Sequence, residues 1–204
     1  MKPNKMVKCS AMLALCCLLA APVHASAADR AGAPATALII IDIQEFYFPG
    51  GKVPLVGPEA AAAKAAKVLA SFRAAGKAVV HVRHDFEPGG SIHQSVAPID
   101  GEMVFTKSEV SCFHGTEVLA HLRELGVERL VLVGMQTHMC LEAATRAAAD
   151  LGFECIVVGD ACATRDLTYG DATVAAADVH ASTLATLDRT YAKVVDIESF
   201  LSEK

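Results

Sequence analysis

Short aliphatic runs, almost uninterrupted by polar residues, alternate along this chain with longer stretches in which alanine, leucine and charged residues recur at helical spacing. Ala37–Asp42, Lys77–Val82, Glu102–Thr106, Arg129–Gly134, Glu154–Gly159 and Ala192–Asp196 carry the strand pattern. Apolar runs without in-out alternation belong to strands covered on both faces. Glu59–Ala75, Thr116–Leu125, Met139–Leu151 and Asp171–Thr190 read as helices, and Gly76, Gly126 and Gly152 follow the ends of the first three. The aromatic, Gly- and Pro-bearing segment Glu45–Pro58, and the segments Arg83–Gly101 and Asp160–Tyr169, read as loops. Strands alternating with helices predict an α/β fold: a three-layer α/β/α sandwich around a mainly parallel, Rossmann-like six-stranded sheet with right-handed crossovers.

The first residues break this pattern. Lys2, Lys5 and Lys8 precede the apolar stretch Cys9–Ala21, which stops at Pro22 and leads to Ala25–Ser26–Ala27. A basic start, a short apolar run and an Ala-x-Ala site predict a secretory signal over 1–27, leaving one domain over 28–204 in a periplasmic or secreted protein. The apolar run is too short for a stable membrane anchor, so no membrane association is expected after cleavage. The net charge of −5 with no basic cluster argues against nucleic acid as a partner. Cys112, Cys140, Cys155 and Cys162 remain beyond the signal, with no CxxC and no zinc-type Cys/His spacing.

Chemistry concentrates at Gly134–Met135–Gln136–Thr137–His138–Met139–Cys140, where an aliphatic strand ends and an alanine-rich helix begins. A thiol on such a strand–turn–helix elbow has unpaired N–H groups and the positive end of a helix dipole beside it, which favour a thiolate and can hold an oxyanion. Asp42 and Lys107 stand at or just past the ends of two other predicted strands. In open α/β sheets that edge is where ligands bind. Each of the three has a plain structural alternative: a turn cap, a solvated lysine, a buried filler thiol.

Ile41–Asp42–Ile43–Gln44, Phe105–Thr106–Lys107 and the elbow resemble the three signature segments of the isochorismatase-like cysteine hydrolases, which include nicotinamidases, N-carbamoyl amidases and isochorismatases. The resemblance implies a catalytic triad of Asp42, Lys107 and Cys140, with an oxyanion hole of backbone N–H groups on Gln136 and Cys140. It also implies a non-proline cis peptide at Met135–Gln136. The thiolate would attack a carbonyl and form a thioester, and Asp42 would take and return the proton. The nicotinamidase metal motif, Asp-x-His, is missing from the equivalent loop. His81–Val82–Arg83–His84–Asp85 and His93 stand in its place, so no metal or other cofactor is expected.

His84 and His93 are expected to face substrate or order their loop, Phe46 and Phe48 to form an apolar wall, and His138 to point into the site or a subunit contact. The function expected is cleavage of a small amide, ureido or lactam C–N bond. Vinyl-ether cleavage and a thiol redox or sensor role are the alternatives. The partners expected are a small-molecule substrate and, as in related proteins, further copies of the chain, with the long apolar helix as the interface.

Overall fold

The computed structural model describes Met1 and residues 35–203, so the predicted signal segment, Met1 apart, lies outside the described residues. Among the described residues there are eight strands: β1 (Thr36–Ile41), β2 (Ala78–His84), β3 (Met103–Lys107), β4 (Arg129–Met135), β5 (Glu154–Ala163), β6 (Leu167–Tyr169), β7 (Ala172–Val174) and β8 (Lys193–Val195). Five α-helices accompany them: α1 (Pro58–Ala74), α2 (Val118–Glu124), α3 (Glu142–Asp150), α4 (Ala176–Leu187) and α5 (Ile197–Ser202). Six strands form one parallel sheet in the order β3-β2-β1-β4-β5-β8, and β6 pairs antiparallel with β7 in a separate ribbon.

Strand β1 shows why the aliphatic runs lack alternation. Leu38 and Ile40 point into one core with Val68, Leu69 and Phe72 of α1. Ala37, Ile39 and Ile41 point into the other with Val118 and Leu122 of α2 and Ala144 and Ala148 of α3. Both faces are dry, as a doubly covered parallel sheet requires. The three-layer α/β/α sandwich expected from the sequence is the fold observed.

Three stretches differ from the sequence reading. Strand β5 continues through Gly159 and Asp160 to Ala163, where a loop was expected. Gly159 interrupts the aliphatic pattern because a Cβ there would stand 2.8 Å from Leu184 Cδ1 of α4. The long helix begins at Ala176 instead of Asp171. Thr168, Thr173 and Val174 prefer extended backbone, Gly170 turns the chain at φ +58°, and the Asp166 carboxylate accepts from the Ala176 N–H at 2.8 Å. Helix α5 was not foreseen, although Asp196 marks its start by accepting from the Ser199 N–H at 2.7 Å.

One glycine fixes how closely the two central strands meet at their functional end. Gly134 pairs with Ile41 at φ +138°, and a Cβ there would lie 2.0 Å from the Ile41 carbonyl oxygen. Gly134→Ala should therefore cost about 3 kcal/mol or more, because rigid backbone has to move apart. Thermal and urea unfolding check this, and a variant with wild-type stability would contradict the packing described here.

Candidate active site

The carboxyl ends of four adjacent strands gather the chemistry. Asp42 follows β1 directly with φ +50°, left-handed backbone that aspartate tolerates better than most residues. Its N–H donates to the Val82 carbonyl of β2 at 2.9 Å. His84 and Lys107 are register partners at the ends of β2 and β3, and partners in a parallel ladder share a face. The lysine stem therefore runs beside His84 and reaches the carboxylate beyond β1.

Cys140 arrives from β4. After a cis Met135–Gln136 peptide, the chain enters a wide π-type turn over Thr137–Leu141 that leads into α3. The helical turn thus begins two residues before the predicted start. The N–H groups of Met139 and Leu141 both donate to the Gln136 carbonyl, at 3.1 and 3.3 Å, and that of Cys140 between them does not join in.

These elements bring Asp42, Lys107 and Cys140 into mutual contact. Lys107 Nζ lies 2.8 Å from Asp42 Oδ2, and both side chains are wholly buried. The same ammonium donates to Cys140 Sγ at 3.2 Å and stands 3.0 Å from His84 Nδ1. Neither carboxylate oxygen of Asp42 receives a well-directed hydrogen bond; the ammonium meets its charge as an ion pair. Donor atoms of Asp42, His84 and Cys140 lie within 4.8 Å of one another. The cation they face is the Lys107 ammonium, and any metal there would have to displace it.

The electrostatics alter one expectation. Burial first, and the Asp42 charge second, push the Cys140 thiol up to about 12, against the opposing pull of Lys107. Burial also raises the Asp42 carboxyl, with Lys107 resisting. Lys107 is held above its ordinary value because the charges of Asp42 and Cys140 outweigh its own, larger single cost of burial. The elbow therefore does not hold a free thiolate beside a carboxylate. One proton is kept between two raised groups, and the ammonium balances the remaining negative charge.

Other expected residues fall elsewhere. His93 stacks on Phe48 with ring centroids 3.8 Å apart and its Nδ1 contacts Ser95 Oγ at 2.8 Å, so its contacts order the loop. Phe46 packs on Phe86 and Tyr47, and both Phe46 and Phe48 are buried in the α1-side core. His138 Nδ1 is 2.6 Å from Thr164 Oγ1, the residue that follows β5. His81, buried on β2, pairs with Glu102 at 2.8 Å, and Arg73 holds the same carboxylate. It shares no site with His84. Cys112, Cys140, Cys155 and Cys162 are all free thiols. Surface depressions of about 440, 390 and 400 Å³ are lined by none of the three central residues.

Two residues of evident structural use to the site were not singled out from the sequence. Gln44 is fully buried; its amide donates to the carbonyls of His84 at 3.0 Å and Gly90 at 2.7 Å, and its carbonyl accepts from the His84 N–H at 2.7 Å. Arg165 donates to Gln136 Oε1 at 3.2 Å, while Gln136 Nε2 reaches the Tyr47 hydroxyl at 3.3 Å. Gln44 lies within a segment that carried the resemblance, Ile41–Gln44, and Arg165 within the stretch Asp160–Tyr169 that read as a loop. Side-chain placement alone distinguishes them from their neighbours.

A doubly covered parallel sheet with a buried thiol, carboxylate and ammonium in contact past its strand ends has the layout of an α/β cysteine hydrolase. The chain belongs to the isochorismatase family: residues 36–198 match the isochorismatase domain. It is 44% identical over 177 residues to YddQ of Bacillus subtilis (strain 168), an uncharacterized isochorismatase family protein, covering 81% of this chain and 98% of that protein. A crystal structure from Oleispira antarctica described as an isochorismatase hydrolase superposes with a TM-score of 0.80 at 46% identity, covering 83% of this chain and 97% of that one. The maleamate amidohydrolase of Pseudomonas putida (strain KT2440) is 30% identical over 184 residues, covering 78% of this chain and 82% of that enzyme.

Proposed function

We propose that this hydrolase cleaves the C–N bond of a small amide, ureido compound or lactam through a thioester on Cys140. The observation that carries the reading is the Lys107 ammonium, 2.8 Å from Asp42 and 3.2 Å from Cys140. A buried carboxylate and a developing thiolate repel one another unless a cation stands between them. The similarity to maleamate amidohydrolase supports an amide over a vinyl ether.

Because the thiol rests protonated, its proton moves to Asp42 as sulfur attacks the carbonyl carbon. The C–S bond forms, and the oxyanion is met by the Gln136 and Cys140 N–H groups, each worth about 2.7–4 kcal/mol in such a hole. The tetrahedral adduct collapses with loss of the C–N bond, and the protonated Asp42 returns its proton to the departing nitrogen. Water, deprotonated by the same carboxylate, then attacks the thioester. The free acid leaves and the thiol is restored. We also propose export of the mature domain, on residues 1–27; N-terminal sequencing of protein from the cell envelope checks it.

The test is turnover of a panel of primary amides, N-carbamoyl compounds and lactams, with hydroxylamine added to intercept the acyl group. A hydroxamate product, together with an acyl mass increment on the Cys140 peptide, is expected. Product formed without either would favour vinyl-ether or direct-water chemistry. The pH profile should carry an acid limb set by Asp42: the base works only when unprotonated, and its raised carboxyl moves the loss of activity above the ordinary aspartate range.

A further inference from the structure

We infer that His84 is a positioning residue for this chemistry: as a neutral imidazole it accepts a hydrogen bond from Lys107 through Nδ1 and presents its Nε2–H to the substrate. The inference rests on the amidase reading only for its consequence in turnover. The tautomer follows from geometry alone.

An ammonium has three N–H donors and no acceptor. Around Lys107 Nζ stand an ion-pair partner, Asp42 Oδ2 at 2.8 Å, and two hydrogen-bonding neighbours, His84 Nδ1 at 3.0 Å and Cys140 Sγ at 3.2 Å. Nδ1 can take its place in that set only with its lone pair free, so the proton of the neutral ring sits on Nε2. A proton on Nδ1 would set an N–H against the ammonium and remove one of the three contacts that orient it.

The backbone of His84 is clamped from both sides by the Gln44 amide, at 2.7 Å to its N–H and 3.0 Å to its carbonyl. The ring is therefore anchored at its base and at Nδ1. His84 is partly exposed, unlike Asp42, Lys107 and Cys140, and among the described residues nothing pairs with its Nε2. A fixed N–H donor beside the nucleophile calls for a substrate with an acceptor close to the scissile amide, such as a second carbonyl or a carboxylate. Burial first and the Lys107 charge second hold the ring below its ordinary value, against the opposing pull of Asp42, Asp85 and Glu109. Neutral His84 is thus the form present at neutral pH.

The substitutions His84→Asn and His84→Phe separate positioning from bulk. An Asn carbonyl takes over the acceptor role at the position of Nδ1 and its NH₂ still donates, whereas Phe fills the space with neither. His84→Phe should lose about 10- to 100-fold in turnover, as expected for a hydrogen bond to a charged group, and His84→Asn should recover most of it. Two groups, Asp42 and His84, must be unprotonated in the wild type, so its acid limb should steepen to a slope of two. In His84→Asn the slope should stay at one. Independently of any substrate, ¹⁵N-histidine NMR of the wild-type protein should report the Nε2–H tautomer for His84. An Nδ1–H tautomer, an unchanged acid limb in His84→Asn, or a fully active His84→Phe would overturn the inference. If no amide in the panel is turned over, the amidase reading fails and the NMR result alone decides this one.

Discussion

Cys140→Ala should leave a folded protein with turnover reduced by about 10⁴-fold or more, the scale of removing a covalent nucleophile from a cooperating set. The side chain is small and almost fully buried, so the fold loses little beyond one sulfur's packing, about 1 kcal/mol. The thiol also helps to hold the Asp42 charge, which the Lys107 ammonium still meets when the sulfur is gone. Circular dichroism and unfolding curves should therefore match the wild type closely, while initial rates fall to background. Cys140→Ser is the sharper control. It keeps a hydroxyl near the ammonium but offers a poorer nucleophile and leaving group for the acyl transfer, so it too should fail. A variant without Cys140 that retained substantial activity would sink the thioester mechanism and leave the buried charge set as a structural feature only.

How far the sequence disclosed this arrangement follows from the range of the signals involved. The alternation of aliphatic runs with helical stretches located the six strands of the main sheet, because burial on both faces leaves a local imprint. Asp42, Lys107 and Cys140 were legible for a related reason: each interrupts or closes an apolar run at a strand's end, and all such ends of a parallel sheet share one edge. What escaped was decided by distant partners. Gly159 looked like a strand terminator, yet it answers to Leu184. The stretch Asp171–Ala175 scored as helix, yet Gly170 and the β-branched residues around it close a small ribbon, and Asp166 starts the helix from ten residues away. Phe48 was read as part of an apolar wall and His93 as facing substrate or ordering its loop; that the two rings stack on one another was not visible. Gln44 stood in plain view inside the first signature segment, but a buried glutamine declares its use only when its three partners are known. The elbow of Cys140 was visible in the sequence, and the burial that raises its thiol was not.

Lys107→Met should be the most damaging single change to both stability and activity, and its stability effect should depend on Asp42. The pair is wholly buried, with Nζ 2.8 Å from the carboxylate. Removing the ammonium leaves a charge in the core that has lost its counter-ion and receives no well-directed hydrogen bond, which costs about 3–5 kcal/mol for a broken buried pair. Asp42→Asn/Lys107→Met removes the stranded charge as well and should recover a large part of that loss, since an apolar or neutral replacement of a whole buried pair is often tolerated. The sign of the pH dependence is fixed too. Without Lys107, the partner that most strongly lowers the Asp42 carboxyl is gone, so its folded-state value climbs further above the unfolded one. A group raised in this way contributes its stability below the unfolded value and loses it as pH increases through the folded value. Lys107→Met should therefore fall further behind the wild type as pH rises from the acid range toward neutrality, and the double variant should not. Urea unfolding of the wild type, Asp42→Asn, Lys107→Met and the double variant at several pH values measures both effects. Additive losses in the double-mutant cycle, or a gap that narrows with rising pH, would mean that Lys107 and Asp42 do not act as a buried ion pair. With either variant, turnover should be lost, because the cation that lets a carboxylate and a nascent thiolate coexist is absent.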